Sequence, residues 1–277
     1  MFVKNGTSPM HKVLLSKPAY LKAAPINEIA KKWDPVLDVK KMLLEHQQLV
    51  DAYHENGVET VFLEPDPERP NSVFSRDFGG CVQEGYILGH FREHLRDKEK
   101  TDYQATMKKL GIPLLLEVKG GYFEGGDFMY LRDRIIALGM FARTDKRGYE
   151  TIRDGLRPYG YEVIPVPGPA EYLHLDMCFN LVDEHLAVAY ADGLPAEFRE
   201  RLRKMDIELI DVPEEAIFLH GCNLQSIGNH RVLSLARNEK VNEELRRRGM
   251  TVIELPITEI LKAGGGPHCM TFPLERG

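Results

Sequence analysis

The stretch RPYGYEVIPVP at residues 157–167 joins the end of a charged helix, through a turn at glycine, to an apolar strand that runs into proline. This order of helix, turn and strand occurs five times along the chain. The other copies are HENGVETVFLEP (54–65), KKLGIPLLLEV (108–118), RKMDIELIDVP (203–213) and RRRGMTVIELP (246–256). A left-handed residue is needed where each helix ends, and glycine supplies it in every copy except one. The exception has Asp206 near that place, which predicts a different turn.

The repeat predicts the fold class. Successive copies lie about 45 to 55 residues apart, a spacing typical of cyclic arrays built from one supersecondary unit. Short β-rich pieces such as GYILGH, RIIALGM and HLAVAY lie between the helices in the manner of hairpins. A doubly wound sheet also alternates helices and strands, but it does not need paired strands between successive helices. We therefore expect a five-bladed, pseudo-symmetric α/β propeller of ββαβ units, formed as a single domain over residues 1–277.

Composition and charge exclude several classes of protein. The net charge of −6 and the scattered basic residues offer no continuous basic surface for nucleic acid. No apolar run approaches the roughly 18 residues of a membrane span, and the first residues lack a secretory signal, so we expect a cytoplasmic protein without membrane partners. Cys81, Cys178, Cys222 and Cys269 form no CxxC pair, which indicates reduced thiols. The sequence is compatible with a monomer or a homo-oligomer.

Four loops interrupt the repeat, and loops carry chemistry more often than the elements that hold them. They read PERPNSVFSRDFGG, GGYFEGGDF, EYLHLDMCFN and KAGGGPHCMTFP. The last contains Cys269 after a triple glycine, a setting expected to leave the sulfur exposed as a nucleophile. His174 can shuttle protons near neutral pH, and the loop carboxylates Glu124 and Asp176 can orient it or bind a cation. These residues are suited to attack on a cationic substrate.

A metal site is the alternative for the same side chains. Asp77, Glu124, His174 and Asp176 could be metal ligands, as in a binuclear ureohydrolase. The clustered HxxxD or DxHxD patterns of such a site are absent from the sequence. We therefore expect no metal and no other cofactor.

Taken together and in this order, NSVFSRD, FEGGD, GMFART, HLD and GGGPHCMT resemble the guanidino-group-modifying superfamily of arginine deiminases, dimethylarginine hydrolases and amidinotransferases. The resemblance spans Asn71 to Thr271, and the fold of that superfamily is a five-bladed propeller around a central site. The spacing from Asn71 to Asp77 is similar to that of arginine deiminases. Dimethylarginine hydrolases generally lack the acid at Asp176, whereas GGGPHC is also similar to amidinotransferases. The chain has no room for the inserted helical domain of deiminases.

The resemblance implies a role for each site residue. Asp77 and Asp176 would bind the guanidinium group in front of Cys269. His174, oriented by Glu124, would protonate the leaving amine and then activate water. The substrate carboxylate and its neighbouring groups would be held by Asn71, Arg96 and Arg143.

The expected reaction is hydrolysis of L-arginine to citrulline and ammonia through a covalent S-alkylthiouronium on the cysteine. The alternatives are transfer of the amidino group to an amine acceptor, hydrolysis of dimethylarginine, and a non-enzymatic binding protein on the same propeller.

Overall fold

The predicted copies of helix, turn and strand all form in the structure, a computed structural model that describes residues 2–24, 26–32 and 36–277. The helices are α1 (Val39–Glu55), α2 (Glu99–Lys109), α3 (Lys146–Leu156), α4 (Ala196–Lys204) and α5 (Glu239–Arg247). The strands are β1 (Met10–Ser16), β2 (Glu59–Leu63), β3 (Gly79–Val82), β4 (Gly85–Leu88), β5 (Leu114–Glu117), β6 (Phe128–Tyr130), β7 (Ile135–Met140), β8 (Glu162–Pro167), β9 (Phe179–Asp183), β10 (Leu186–Ala189), β11 (Glu208–Asp211), β12 (Gln225–Gly228), β13 (Arg231–Leu235), β14 (Thr251–Leu255) and β15 (Phe272–Arg276).

The strands form five small three-stranded sheets within the described residues. In four of them two antiparallel strands are followed by a helix and a third strand, which pairs in parallel with the second, as in β3, β4, α2 and β5. The expected ββαβ unit is thus confirmed as a mixed α/β repeat. The remaining sheet has the order β15-β1-β2, so strands from the two ends of the chain complete one unit.

Every helix ends in the same turn. The left-handed residue has φ between 56° at Asp206 and 82° at Gly249, and its N–H donates to the carbonyl three residues earlier. The next N–H donates to the carbonyl five residues earlier, as from Ile207 to Leu202, which is a Schellman motif. The prediction of a different turn at Asp206 is wrong, because aspartate also tolerates the left-handed region.

A buried pair spaced four residues apart anchors each helix to its sheet. The pairs are Leu49 and Tyr53, Tyr103 and Met107, Ile152 and Leu156, Phe198 and Leu202, and Val241 and Leu245. Residues at this spacing lie on one face of a helix. The second member of each pair is also the residue whose carbonyl closes the Schellman turn. In every unit, therefore, one residue both packs the helix on its sheet and accepts the hydrogen bond that ends the helix.

No helix in the described ranges is long and apolar enough to cross a membrane.

Candidate active site

Residues from all four predicted loops meet at one small cavity of about 30 Å³. Its lining includes seven of the eight predicted site residues, namely Asn71, Asp77, Arg96, Glu124, Arg143, His174 and Cys269. The eighth, Asp176, places Oδ2 3.4 Å from the Cys269 sulfur. The structure thus brings together the whole predicted set.

The first strand of each unit determines where the site residues lie. One polar or nucleophilic residue stands shortly before each such strand, namely Asp77 before β3, Glu124 before β6, Asp176 before β9, Asn223 before β12 and Cys269 before β15. Sequence analysis missed Asn223, which lies in GCNLQS outside the four loops. The position before the first strand of the fourth unit is the signal that could have found it.

Glu124 and His174 form a buried hydrogen-bonded pair, with 3.0 Å between Oε2 and Nε2. Burial opposes charge on the imidazole, but the charge of Asp77 and the hydrogen bond to Glu124 raise the pKa of His174 to about 9. Burial also opposes charge on Glu124, yet the bond to His174 and the charge of Arg143 lower the pKa of Glu124 to about 2. The pair is therefore imidazolium and carboxylate at neutral pH.

Arg96 forms a buried salt bridge with Asp77. Its Nη1 donates to Asp77 Oδ2 at 2.5 Å, and its Nε and Nη2 donate to the two carboxylate oxygens of Glu99. Nη2 also donates to the carbonyl of Phe74. Each guanidinium nitrogen has a protein acceptor, so the contact with the substrate carboxylate that we predict for Arg96 could use only the N–H of Nη1 that Asp77 does not accept. Arg96 holds one oxygen of Asp77, whereas Oδ1 has no hydrogen-bond partner among the described residues and lies 3.9 Å from His174 Nδ1.

Asp176 and Asn223 surround the Cys269 sulfur. Asn223 Nδ2 lies 3.1 Å from Sγ, and its Oδ1 accepts from the backbone N–H groups of His268 and Cys269. Asp176 Oδ2 accepts from His268 Nδ1 at 2.8 Å, whereas Oδ1 has no partner in the described structure. Burial, followed by the charge of Asp176, raises the pKa of the Cys269 thiol well above its ordinary value. The resting group is a thiol.

The expectation of an exposed sulfur is wrong. Cys269 is only 5% exposed. Lys22, Ala24, Ile26 and Asn27 lie over the cavity. A cavity of about 30 Å³ is far below the roughly 300 Å³ at which ligand pockets begin, so the cavity must enlarge before an amino-acid substrate can enter.

Asp127, the last acid of EGGD, holds the HLD segment. Its Oδ1 accepts from the backbone N–H of Leu175 at 2.9 Å, between His174 and Asp176. Leu173, directly before the histidine, has φ 65° and ψ −68°, a strained γ-turn conformation. The N–H of His174 closes this turn on the carbonyl of Tyr172 at 2.8 Å. Both contacts fix the direction of the imidazole.

Asn71 and Arg143 both line the cavity. Asn71 is 3% exposed, and its Nδ2 has no acceptor in the described part of the chain. Arg143 donates to the carbonyl of Ile26 at 2.6 Å and lies 3.4 Å from Glu124 Oε1. Both side chains thus present N–H groups next to the cavity.

Asp77, Glu124 and His174 also place one potential metal ligand each within 4.8 Å of one another. The proton that joins His174 to Glu124, and the cation Arg96 on Asp77, already neutralise this cluster. A metal ion there would have to displace the imidazole proton, because only neutral histidine binds metals.

The hydrogen bond between Glu124 and His174 predicts how the pKa of His174 responds to mutation. Glu124→Gln removes a charged acceptor, so the pKa of His174 should fall by at least about one unit from its value near 9. In the wild type, the stability that His174 contributes should be complete below pH 6.5 and be lost as the pH rises through about 9. NMR titration of labelled histidine measures the pKa, with the exposed Glu68→Gln as control. An ordinary pKa of His174 in the wild type would contradict the assignment of charge.

Comparison with known proteins gives matches along nearly the whole chain. The family described as N,N dimethylarginine dimethylhydrolase, eukaryotic, matches residues 18–276. The uncharacterized protein YkgA of Bacillus subtilis is 33% identical over 270 residues, which cover 97% of this chain and 93% of YkgA. Arginine deiminase of Listeria welshimeri is 25% identical over 260 residues, covering 78% of this chain and 63% of the deiminase. The chain therefore spans less than two thirds of the length of that enzyme.

Solved structures share the fold. The N-terminal domain of ArgZ, an arginine dihydrolase from cyanobacteria, superposes with a TM-score of 0.86 at 23% identity and covers 96% of this chain and 97% of the domain. A dimethylarginine dimethylaminohydrolase adduct superposes with a TM-score of 0.79 at 23% identity and covers 96% of this chain and all of the other. At this identity the likeness concerns the fold.

Proposed function

The chain belongs to the N,N-dimethylarginine dimethylhydrolase family, and we propose that it hydrolyses L-arginine to citrulline and ammonia through a covalent intermediate on Cys269. Its relatives make it a hydrolase of guanidino C–N bonds. The choice of arginine within that class is the proposal. It rests on one observation, that two buried carboxylates near the thiol each have an oxygen without a hydrogen-bond partner among the described residues.

Asp77 Oδ1 and Asp176 Oδ1 are both buried without a hydrogen-bond partner among the described residues. An unsatisfied buried carboxylate oxygen is costly, and a planar guanidinium is the group whose N–H fork matches two such oxygens. Asp176 lies within 3.4 Å of the sulfur. A guanidinium bound by both acids would present its carbon to Cys269 in a geometry suited to attack.

The protonation states fit the expected order of steps. The bound cation lowers the pKa of the thiol, which loses its proton to solvent, and the thiolate attacks the guanidinium carbon to form a tetrahedral adduct. His174, protonated at neutral pH, gives its proton to the leaving nitrogen, and ammonia departs. The neutral imidazole then takes a proton from water, which attacks the S-alkylthiouronium. The C–S bond breaks, citrulline leaves, and the released sulfur takes up the proton of the new hydroxyl group.

The finer architecture that we propose is a five-bladed propeller in a single domain over residues 1–277. The first strands of the five units would surround the site. β9 packs beside β12, and β15 packs beside β3. Pairing of β15 with β1 ties the two ends of the chain into one unit, which supports a single domain.

Hydrolysis of N,N-dimethylarginine is the second candidate, and the family match favours it. Asp176 opposes it, because a dimethylated nitrogen has no N–H to donate to that carboxylate. The amidinotransferase alternative requires an amine acceptor in place of water, and no observed contact favours it over hydrolysis.

The deciding experiment incubates the protein with L-arginine, agmatine or N,N-dimethylarginine, with and without glycine, and identifies products by mass spectrometry. Arginine should give citrulline and ammonia in equal amounts and react at least about a hundredfold faster than agmatine, because agmatine leaves the arginine that binds the carboxylate unpaired. Guanidinoacetate in the presence of glycine would indicate a transferase, and ornithine with two equivalents of ammonia would indicate a dihydrolase.

Arg143→Lys tests the carboxylate contact in the same assay. Lysine keeps the charge but loses the planar fork, so KM for arginine should rise far more than agmatine turnover changes. Equal loss with both substrates would instead assign Arg143 to its observed contact with Glu124.

A further inference from the structure

A second cavity, also of about 30 Å³, lies next to the active site and is lined by two buried arginines. Arg76 and Arg276 are 7% and 2% exposed. Asn5, Asn180, Gln225 and His268 supply the other hydrogen-bonding side chains of the cavity, apart from one tyrosine. None of its lining residues, all within the described ranges, is aspartate or glutamate.

The partners of Arg76 are mostly neutral. Its Nη2 donates to Gln225 Oε1 at 2.9 Å, and its Nε lies 3.5 Å from the carbonyl oxygen of His268. Burial lowers the pKa of Arg76 to about 10, although the charge of Asp176 on the active-site side opposes this. The carboxylates whose charges act on Arg76 are Asp176 and Asp77, and neither lines this cavity.

Arg276 is less well compensated. Its Nε donates to the carbonyl of Ser8 at 3.0 Å, and its Nη2 has no acceptor in the described structure. Burial and then the charge of Arg76 lower the pKa of Arg276 to about 9. At neutral pH the guanidinium is still protonated. A buried charge of this kind is costly unless it is paired.

We propose that this cavity binds a small monovalent inorganic anion of the size of chloride or bromide, held by Arg276 Nη2 and Arg76. The volume of about 30 Å³ accommodates one or two water-sized particles, which suits a halide and excludes bulkier oxyanions such as sulfate. Water alone would satisfy the Nη2 hydrogen but would leave the charge of Arg276 without a counter-charge.

His268 would connect the anion site to Asp176 in the active site. This residue lines the cavity, and its Nδ1 lies 2.8 Å from Asp176 Oδ2. His268 is neutral, because burial lowers its pKa to about 4, so it adds no charge of its own. An anion beside Arg76 would offset part of the positive field that acts on Asp176. The proposal does not depend on which guanidino compound the enzyme hydrolyses.

The test uses the full chain in two measurements that do not involve turnover. The first is thermal unfolding in sodium chloride, sodium bromide, sodium gluconate or sodium sulfate at equal ionic strength. A halide that binds only the native state should raise Tm by about 3 °C or more in a saturable manner, whereas gluconate should not, and sulfate should give only the non-saturating rise of a general stabilising salt. The second is a crystal soaked in sodium bromide, in which an anomalous bromide peak should lie within hydrogen-bonding distance of Arg276 Nη2.

Arg276→Gln should abolish both the halide-dependent shift and the bromide peak, whereas the exposed control Arg153→Gln should retain them. If Arg276→Gln does not fold, the wild-type measurements decide. Equal Tm in all four salts with no bromide in the cavity would overturn the proposal. So would a bromide shift that rises without saturating, as the sulfate shift does, or one that persists in Arg276→Gln, because either is a general salt effect.

Discussion

Cys269→Ser is expected to lower turnover of arginine by at least about a thousandfold while leaving the fold intact. Cys269 is the only one of the four cysteines that lines the cavity with His174, and Asn223 and Asp176 hold its sulfur at 3.1 and 3.4 Å. A serine hydroxyl fits the same space, but it is a much weaker nucleophile toward a guanidinium carbon. Steady-state production of citrulline measures the loss, and circular dichroism verifies the fold.

Cys81→Ala is the matched control. Cys81 is equally buried, at 5% exposed, and burial raises the pKa of its thiol to about 12, but it lies in β3 away from His174 and Glu124. The control should retain close to wild-type activity. Residual activity of Cys269→Ser above a tenth of wild type would remove Cys269 as the nucleophile.

The repeat could be predicted from the sequence because its signals are local. A buried pair on each helix, a left-handed residue and an apolar strand all lie within about a dozen residues of one another, as from Leu156 to Val166. Asp206 also takes the left-handed conformation, although an aspartate at this position led us to predict a different turn. The site residues were found for a related reason, since the loops that carry them interrupt an otherwise regular pattern.

Other features of the site depend on tertiary contacts that no local pattern encodes. Asn223 is an ordinary amide in the sequence, and only its position beside Cys269 gives it significance. Arg96 resembles a substrate-binding arginine, but its guanidinium N–H groups donate to the carboxylates of Glu99 and Asp77. Cys269 is buried although it follows a triple glycine, and its cavity is lined in part by Lys22, Ala24, Ile26 and Asn27, which lie far away in the chain.

Asp176→Asn is expected to separate the two candidate substrates. The change removes a charged acceptor from a desolvated guanidinium, at a cost of about 1.5 to 3 kcal/mol, so kcat/KM for arginine should fall about 10- to 150-fold. Asp77→Asn should have a similar effect on arginine, because its Oδ1 is the matching unpartnered oxygen. The exposed Asp192→Asn should leave both substrates unaffected.

N,N-dimethylarginine should respond differently to the same two variants. If the methylated nitrogen lies toward Asp176, that carboxylate accepts no hydrogen bond from it, and Asp176→Asn costs the methylated substrate little. Asp77 still binds an N–H of the unmethylated nitrogen, so Asp77→Asn should impair both substrates. The ratio of kcat/KM for arginine over dimethylarginine should therefore fall in Asp176→Asn and stay nearly constant in Asp77→Asn. Equal losses for both substrates in Asp176→Asn would mean that Asp176 does not distinguish them, and the argument for arginine as the substrate would fail while guanidino hydrolysis remained.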